Sequence, residues 1–178
     1  MSGPILTTAR LELWQPAAAD LADLLELTRA DATRQHLGSF VPSEMDAFQR
    51  LHRNAGSWAL HGYGTFMVRL KSGSQIIGNC GIFRSHRGFG AALGLDNTPE
   101  AGWIIHPAHT RQGYAAEAME AALNWFDTTH GPQRIACMID PANTPSHKLA
   151  AALGFNEYAR HTPEGSAELV LYERSLKL

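Results

Sequence analysis

Cysteine is scarce in this chain of 178 residues, which has only Cys80 and Cys137, far apart and each within an apolar run. That count excludes a disulfide-stapled scaffold and a cysteine-rich zinc site, and it suits two buried thiols. Long apolar runs are missing too: Gly102 to Ile105 and Leu149 to Leu153 are among the longest, far short of the roughly 20 residues that cross a bilayer. Met1 to Ala9 lacks both a basic n-region and a continuous apolar stretch, so no secretory signal or membrane association is expected, and the cytoplasm is the predicted location. Neither sign of charge dominates. Fifteen Lys and Arg stand against seventeen Asp and Glu, a formal net charge of -2, which argues against nucleic acid as a direct partner. Charged residues at 18% and hydrophobic ones at 44% are ordinary globular usage, so disorder, collagen and coiled coil are excluded for the chain as a whole. With no repeat, low-complexity tract or linker, residues 1–178 are expected to form a single domain.

Arg10 to Trp14 alternates as a strand, and Leu21, Leu24, Leu25 and Thr28 recur at helical spacing after Asp20. A second helix is predicted from about Ser43, as N-cap, through Trp58, with Met45, Phe48, Leu51 and Ala55 as its apolar stripe, ended by Gly62 and Gly64. Thr65 to Leu70 and Gln75 to Phe83 read as an antiparallel hairpin around Lys71 to Ser74. Arg84 to Thr98 has no period; an irregular loop of that length in a compact domain points to part of a substrate mouth. Glu100 to His106 is a strand, and Tyr114 to Thr129 an amphipathic helix with Ala115, Met119, Ala122, Trp125 and Phe126 inward, stopped by His130, Gly131 and Pro132. Arg134 to Asp140, Ser146 to Leu153 and Glu168 to Glu173 follow as strand, helix and strand. A hairpin followed by crossovers implies a mixed α/β sheet.

The turn between Pro107 and Gly113 holds the densest chemistry. The first amides of a helix have no intrahelical partner and, with the dipole, favour anions such as phosphates. No Asp or Glu occurs from Arg111 to Ala116 to satisfy them; Arg111 adds a cation, and Gly113 permits close backbone approach. A diphosphate suits such a site. Gly88 to Gly94 (GFGAALG) imitates a dinucleotide fingerprint, but its spacing is one residue too long and no helix pattern follows. His106 and His109 lack a third ligand at recognisable spacing, so no metal is expected.

Glu100 to Pro107 (EAGWIIHP) followed by Arg111 to Ala118 (RQGYAAEA) resembles the central signature of the GNAT superfamily of acetyl-CoA-dependent N-acetyltransferases. Asp140 to Ser146 (DPANTPS) with Leu153-Gly154-Phe155, Ala9 to Leu13 (ARLEL) and Ile76 to Gly81 (IIGNCG) resemble, in order, segments of the branch that acetylates ribosomal-protein N-termini. The first phosphate-loop position, Gln or Arg in the family, is Thr110 here, with Arg111 in the next place.

The resemblance implies the GNAT fold: a mostly antiparallel central sheet with one parallel pair of strands at the acetyl-CoA site and helices on both faces. It implies that Arg111, Gln112, Gly113, Tyr114, Ala115 and Ala116 wrap the coenzyme diphosphate through their amides. Trp103, Ile104 and Ile105 would offer the strand that receives the thioester carbonyl and the pantetheine arm, and Asn143 would contact the pantetheine. Ser146 would protonate the leaving thiolate, because the tyrosine that other branches place seven residues after that asparagine is Ala150 here; otherwise Ser146 and Thr144 merely cap their helix. Strand alternation sets Glu100, Gly102, Ile104 and His106 on one face, so Glu100 is the preferred base, through water, with His106 as the alternative and simple solvation as the plain reading. The expected acceptor is a protein or peptide N-terminal amine. A small amine such as an antibiotic or polyamine, or a silent acyl-CoA-binding module, is the alternative, and a homodimer is left open.

Overall fold

The computed structural model describes residues 3–36, 40–71, 73–96 and 98–174, so Ser72 of the expected turn, residues 37–39 before the second helix and Asn97 of the long loop lie outside the described residues. The strands are β1 (Leu6–Thr7), β2 (Leu11–Trp14), β3 (Thr65–Leu70), β4 (Ile76–Phe83), β5 (Glu100–Ile105), β6 (Ile135–Ile139), β7 (Asn156–His161) and β8 (Leu169–Arg174). The helices are α1 (Leu21–Arg29), α2 (Asp31–Arg34), α3 (Glu44–His61), α4 (Tyr114–His130) and α5 (Thr144–Ala152). The strands join in one sheet of order β1-β2-β3-β4-β5-β6-β8-β7, antiparallel everywhere except between β5 and β6. This is the mixed sheet that the order of elements predicts.

Two apolar layers sandwich the sheet. Alternation along β3 sends Phe66 and Val68 into a cluster with Ala118, Met119, Ala122 and Phe126 of α4, while Met67 meets Leu24 and Leu27 of α1 and Leu51 of α3 on the other face. Helix α3 corrects the predicted stripe. Met45 and Phe48 are 68% and 50% exposed, and the buried line is Ala47, Leu51, Asn54 and Ser57. Two polar residues hold that line because each has a partner: Asn54 Nδ2 donates to Asn79 Oδ1 at 3.3 Å and Ser57 Oγ to the Tyr63 carbonyl at 2.8 Å. Ser43 caps α3 as predicted, sharing a capping box with Asp46, and Gly62 ends it in the left-handed region at φ 75°.

β1, β7 and α2 carry no sequence signal. β1 spans two residues and α2 four, and β7 is an edge strand half exposed along its length. β7 exists because β8 offers it a partner, not because its own residues alternate.

A polar clasp ties the start of β2 to α4. Glu117 accepts from Thr8 Oγ1 at 2.6 Å, the Arg10 amide at 2.9 Å and Arg10 Nε at 2.7 Å. Burial alone would raise the Glu117 carboxyl, but the hydrogen bonds from Thr8 and Arg10, with the arginine's charge, outweigh it and hold the group below its ordinary value. A carboxyl lowered in the folded state contributes stability that is complete above its unfolded pKa, about 4.3, and is lost as pH falls through the lower folded value. Glu117→Gln is therefore expected to lower the urea midpoint at pH 7. The wild-type advantage should shrink as pH falls below about 4, and an advantage that persists undiminished at pH 3 contradicts the clasp.

Candidate active site

β5 and β6 run side by side for one register pair, Glu100 with Ala136, fixed by the Ala136 amide donating to the Pro99 carbonyl at 2.9 Å. Beyond it they part. β6 continues along β8 from Ile135 to Ile139, while β5 stays zipped to β4 from Glu100 to Ile105. The His106 amide donates to the Ile77 carbonyl at 2.8 Å, which sets the phase of that ladder. Antiparallel strands alternate, so Glu100, Gly102 and Ile104 turn their main chain to β4, whereas Trp103 and Ile105 turn theirs to the open side. Of the three strand residues expected to receive a thioester, only Trp103 and Ile105 thus have free main-chain groups there.

The gap opens into a cleft of about 170 Å³ lined by Trp103, Ile104, Asn143 and Ser146, and also by Glu100 and Gly102 of the opposite face. Asn143 is the true N-cap of α5, its Oδ1 accepting the Ser146 amide at 3.2 Å, so the cap role that was the alternative for Ser146 and Thr144 falls to Asn143. The Ser146 hydroxyl is thereby free for the cleft. Its oxygen accepts the Trp103 indole N–H at 3.1 Å, which orients the hydroxyl and leaves its own proton to donate. Helix α5 is held by His147, whose Nδ1 lies 2.8 Å from the Tyr172 hydroxyl and whose Nε2 lies 3.1 Å from the Asp140 carbonyl. Ala150 is buried in the core and presents no group to the cleft.

At the head of α4, the Thr110 amide donates to Pro107 and the Glu117 amide to Gly113, and between them no amide from Arg111 to Ala116 has a partner among the described residues. Six successive N–H groups are therefore available to an anion. Two left-handed residues, Arg111 at φ 59° and Gly113 at φ 80°, wind the loop around them. Arg10 reaches this loop from β2: its Nη1 donates to the Gln112 carbonyl at 2.9 Å, and its guanidinium lies 4.5 Å from the Tyr114 ring centroid. Thr110 turns its hydroxyl to Pro107, 2.9 Å away, within the turn itself.

Glu100 is buried at 3% exposure, so the plain reading of a solvated strand-end carboxylate is wrong. Arg87 grips it with Nη2 to Oε1 at 2.6 Å and Nε to Oε2 at 3.0 Å, and Ser85 Oγ adds a third bond. The long loop thus enters the site through Arg87, pinned by Asp96 accepting the Arg87 and Gly88 amides and by Tyr158 donating to the Leu93 carbonyl at 3.0 Å. His106 is not brought to this place. Its Nδ1 accepts from Ala108, its Nε2 lies 4.0 Å from Glu26, and it lines a separate groove along α1. His36 and Asp140 reach the cleft as a pair 3.3 Å apart. Burial pushes the Cys80 thiol up to about 12, and burial with the Glu100 charge pushes Cys137 up as well, so neither is a thiolate nucleophile. The sequence offered no signal for Arg10, Arg50, Thr65 or Arg87, whose places depend on strand register and loop path.

Comparison with known proteins agrees with this fold. The profile of the acetyltransferase (GNAT) domain matches residues 10–156. An uncharacterized N-acetyltransferase of Bacillus subtilis, YnaD, is 26% identical over 164 residues, 90% of this chain and 89% of the relative. Among solved structures, a GNAT-family acetyltransferase from Bordetella pertussis superposes with a TM-score of 0.84 at 31% identity, covering 96% of this chain and 98% of the other. RimL, the ribosomal L7/L12 α-N-protein acetyltransferase, shares the fold at a TM-score of 0.75 and 14% identity over 97% of this chain and 93% of its own. A family profile that spans residues 10–156 and a solved GNAT-family structure at 31% identity over 96% of this chain agree, and the chain belongs to the GNAT acetyltransferase family.

Proposed function

We propose that this acyltransferase moves the acetyl group of acetyl-CoA to the α-amine of a protein or peptide. The observation that carries the reading is the open edge of β5 lining one cleft with Ser146, together with the unpaired amides at the head of α4. Acetyl-CoA supplies an activated thioester and a diphosphate. Arg111, Gln112, Gly113, Tyr114, Ala115 and Ala116 hold the diphosphate by main-chain N–H groups, and Asn143 meets the pantetheine arm. The amides of Trp103 and Ile105 face the side where the thioester carbonyl oxygen gathers charge. The amine nitrogen bonds to the carbonyl carbon, the carbon–sulfur bond breaks, and the Ser146 proton passes to the departing sulfur and is replaced from solvent. The amine's own proton leaves through water toward Glu100, whose two oxygens are already engaged by Arg87 and Ser85. An α-amine suits so modest an acceptor, because its reference pKa of about 7.7 to 8.0 leaves far more of it neutral at pH 7 than a lysine at about 10.4. A small amine is the second reading, favoured by the small cleft.

Gly113→Glu puts bulk and negative charge among the free amides and is expected to weaken coenzyme A binding at least tenfold by calorimetry. Gly113→Ala, with the same left-handed strain but no charge, isolates the electrostatic part; unchanged affinity in a folded Gly113→Glu protein overturns the placement. Ser146→Ala should lower kcat roughly 10²-fold, the lower end for general acid catalysis, while acetyl-CoA affinity stays near wild type. A wild-type rate returns Ser146 to the role of indole acceptor. Mass spectrometry of a peptide with a free N-terminus and an internal lysine, after incubation with acetyl-CoA, should find acetyl on the N-terminus; acetyl on the lysine, or turnover of small amines alone, overturns the acceptor.

A further inference from the structure

The wall of the cleft opposite Ser146 is built from α3, β3, β4 and the long loop, and it carries cationic charge that the fold leaves unanswered. Arg50 of α3 lines it, its Nε buried with no hydrogen-bond partner, and Thr65 of β3, 5% exposed, presents a hydroxyl that also has none. Four buried polar side-chain atoms lack partners among the described residues, and these two share one cavity. Their neighbours are satisfied. Asn79 is bonded to Asn54 and the Phe66 carbonyl, Arg87 is spent on Glu100, and Asp140 is engaged by His36 and the Ala142 amide. Arg53, one turn beyond Arg50, adds its charge to the same region, where Glu100 is offset by Arg87. Burial, with the charges of Arg53 and Arg87, holds the Arg50 guanidinium down to about 10, so it remains a cation at neutral pH. A buried guanidinium N–H with no hydrogen-bond partner is costly unless a ligand supplies one.

We infer that Arg50 and Thr65 form a receptor for an oxyanion carried by the acceptor itself, a carboxylate or phosphate close to the reacting amine. Within the peptide reading this is an acidic residue immediately after the N-terminus, so the inference rests on the acetyltransfer proposed above and names its substrate class. The guanidinium supplies a charged fork and the hydroxyl one further donor. Arg50, Thr65 and Ser146 line one cleft of about 170 Å³, so amine and oxyanion are near neighbours in the acceptor.

The test uses matched acceptors with saturating acetyl-CoA: peptides differing only at the second position, as Asp, Asn, phosphoserine or Ser, and small amines with and without an acid group. Wild-type protein should prefer the acidic member of a pair by roughly ten- to hundredfold in kcat/KM, the range of a charge-assisted hydrogen bond. The Asp and phosphoserine arms distinguish carboxylate from phosphate. Arg50→Gln should abolish the preference, chiefly through KM for the acidic acceptor, with KM for acetyl-CoA unmoved. Because it removes a buried N–H that has no partner and breaks no ion pair, it should leave thermal stability unchanged or raised, whereas loss of a structural arginine would lower it. Thr65→Val gives a second, independent reduction if Arg50→Gln fails to fold. Neutral and acidic acceptors within a factor of about two of each other, or a preference that survives Arg50→Gln, overturns the inference while acetyltransfer stands. If no amine is turned over, calorimetry of the protein–coenzyme A complex with the Asp and Asn peptides decides: tighter binding of Asp that Arg50→Gln removes upholds the receptor, and equal or no binding overturns it.

Discussion

Everything chemical in this protein follows from two strands that begin together and then separate. β5 and β6 share one register pair, after which β5 is held by β4 and β6 by β8. A sheet that stayed zipped would cancel the main-chain groups of Trp103 and Ile105 against β6 and leave no cleft. The parting is enforced from outside. Arg134, just before β6, binds Glu173 of β8 at 2.6 Å and the end of the long loop through the Gly94 carbonyl and the Thr98 hydroxyl, at 2.9 Å and 2.8 Å. β6 is thereby clamped at its start, and its far end, with α5 behind it, is free to follow β8.

The parted strands also connect the two faces of the sheet. Trp103 packs against the α4 cluster and reaches Ser146 there, while Glu100, Gly102 and Ile104 look toward α3. One face therefore meets the α4 cluster, and the other meets the arginines of α3 and the long loop. Charge is arranged accordingly. Glu117 answers Arg10 at the head of α4, Glu100 answers Arg87 at the cleft, and Arg50 alone of these three arginines has no carboxylate partner among the described residues.

Legibility in the sequence tracked how local the cause was. The hairpin, the capping box at Ser43 and the glycine that ends α3 each depend on residues within a few positions of one another, and they are where the pattern puts them. The stripe on α3 was misread because hydrophobicity alone picked Met45 and Phe48, while burial fell on Asn54 and Ser57, whose partners come from β4 and from the turn before β3. β7 was invisible for the related reason that an edge strand is made by its neighbour.

By itself, the sequence determined the order of the longer helices and of every strand but β1 and β7, the mixed sheet, and the run of unsatisfied amides from Arg111 to Ala116, because periodicity, capping and helix ends are set by neighbouring residues. Tertiary structure alone decided which charges meet. Arg10 and Glu117 are 107 positions apart, and Arg50, Thr65, Arg87 and Glu100 arrive from a helix, a strand, a loop and another strand. Periodicity reports which way a side chain faces on its own element. What it faces is fixed only when register and packing bring the elements together, and a buried charge is satisfied or left wanting by that assembly.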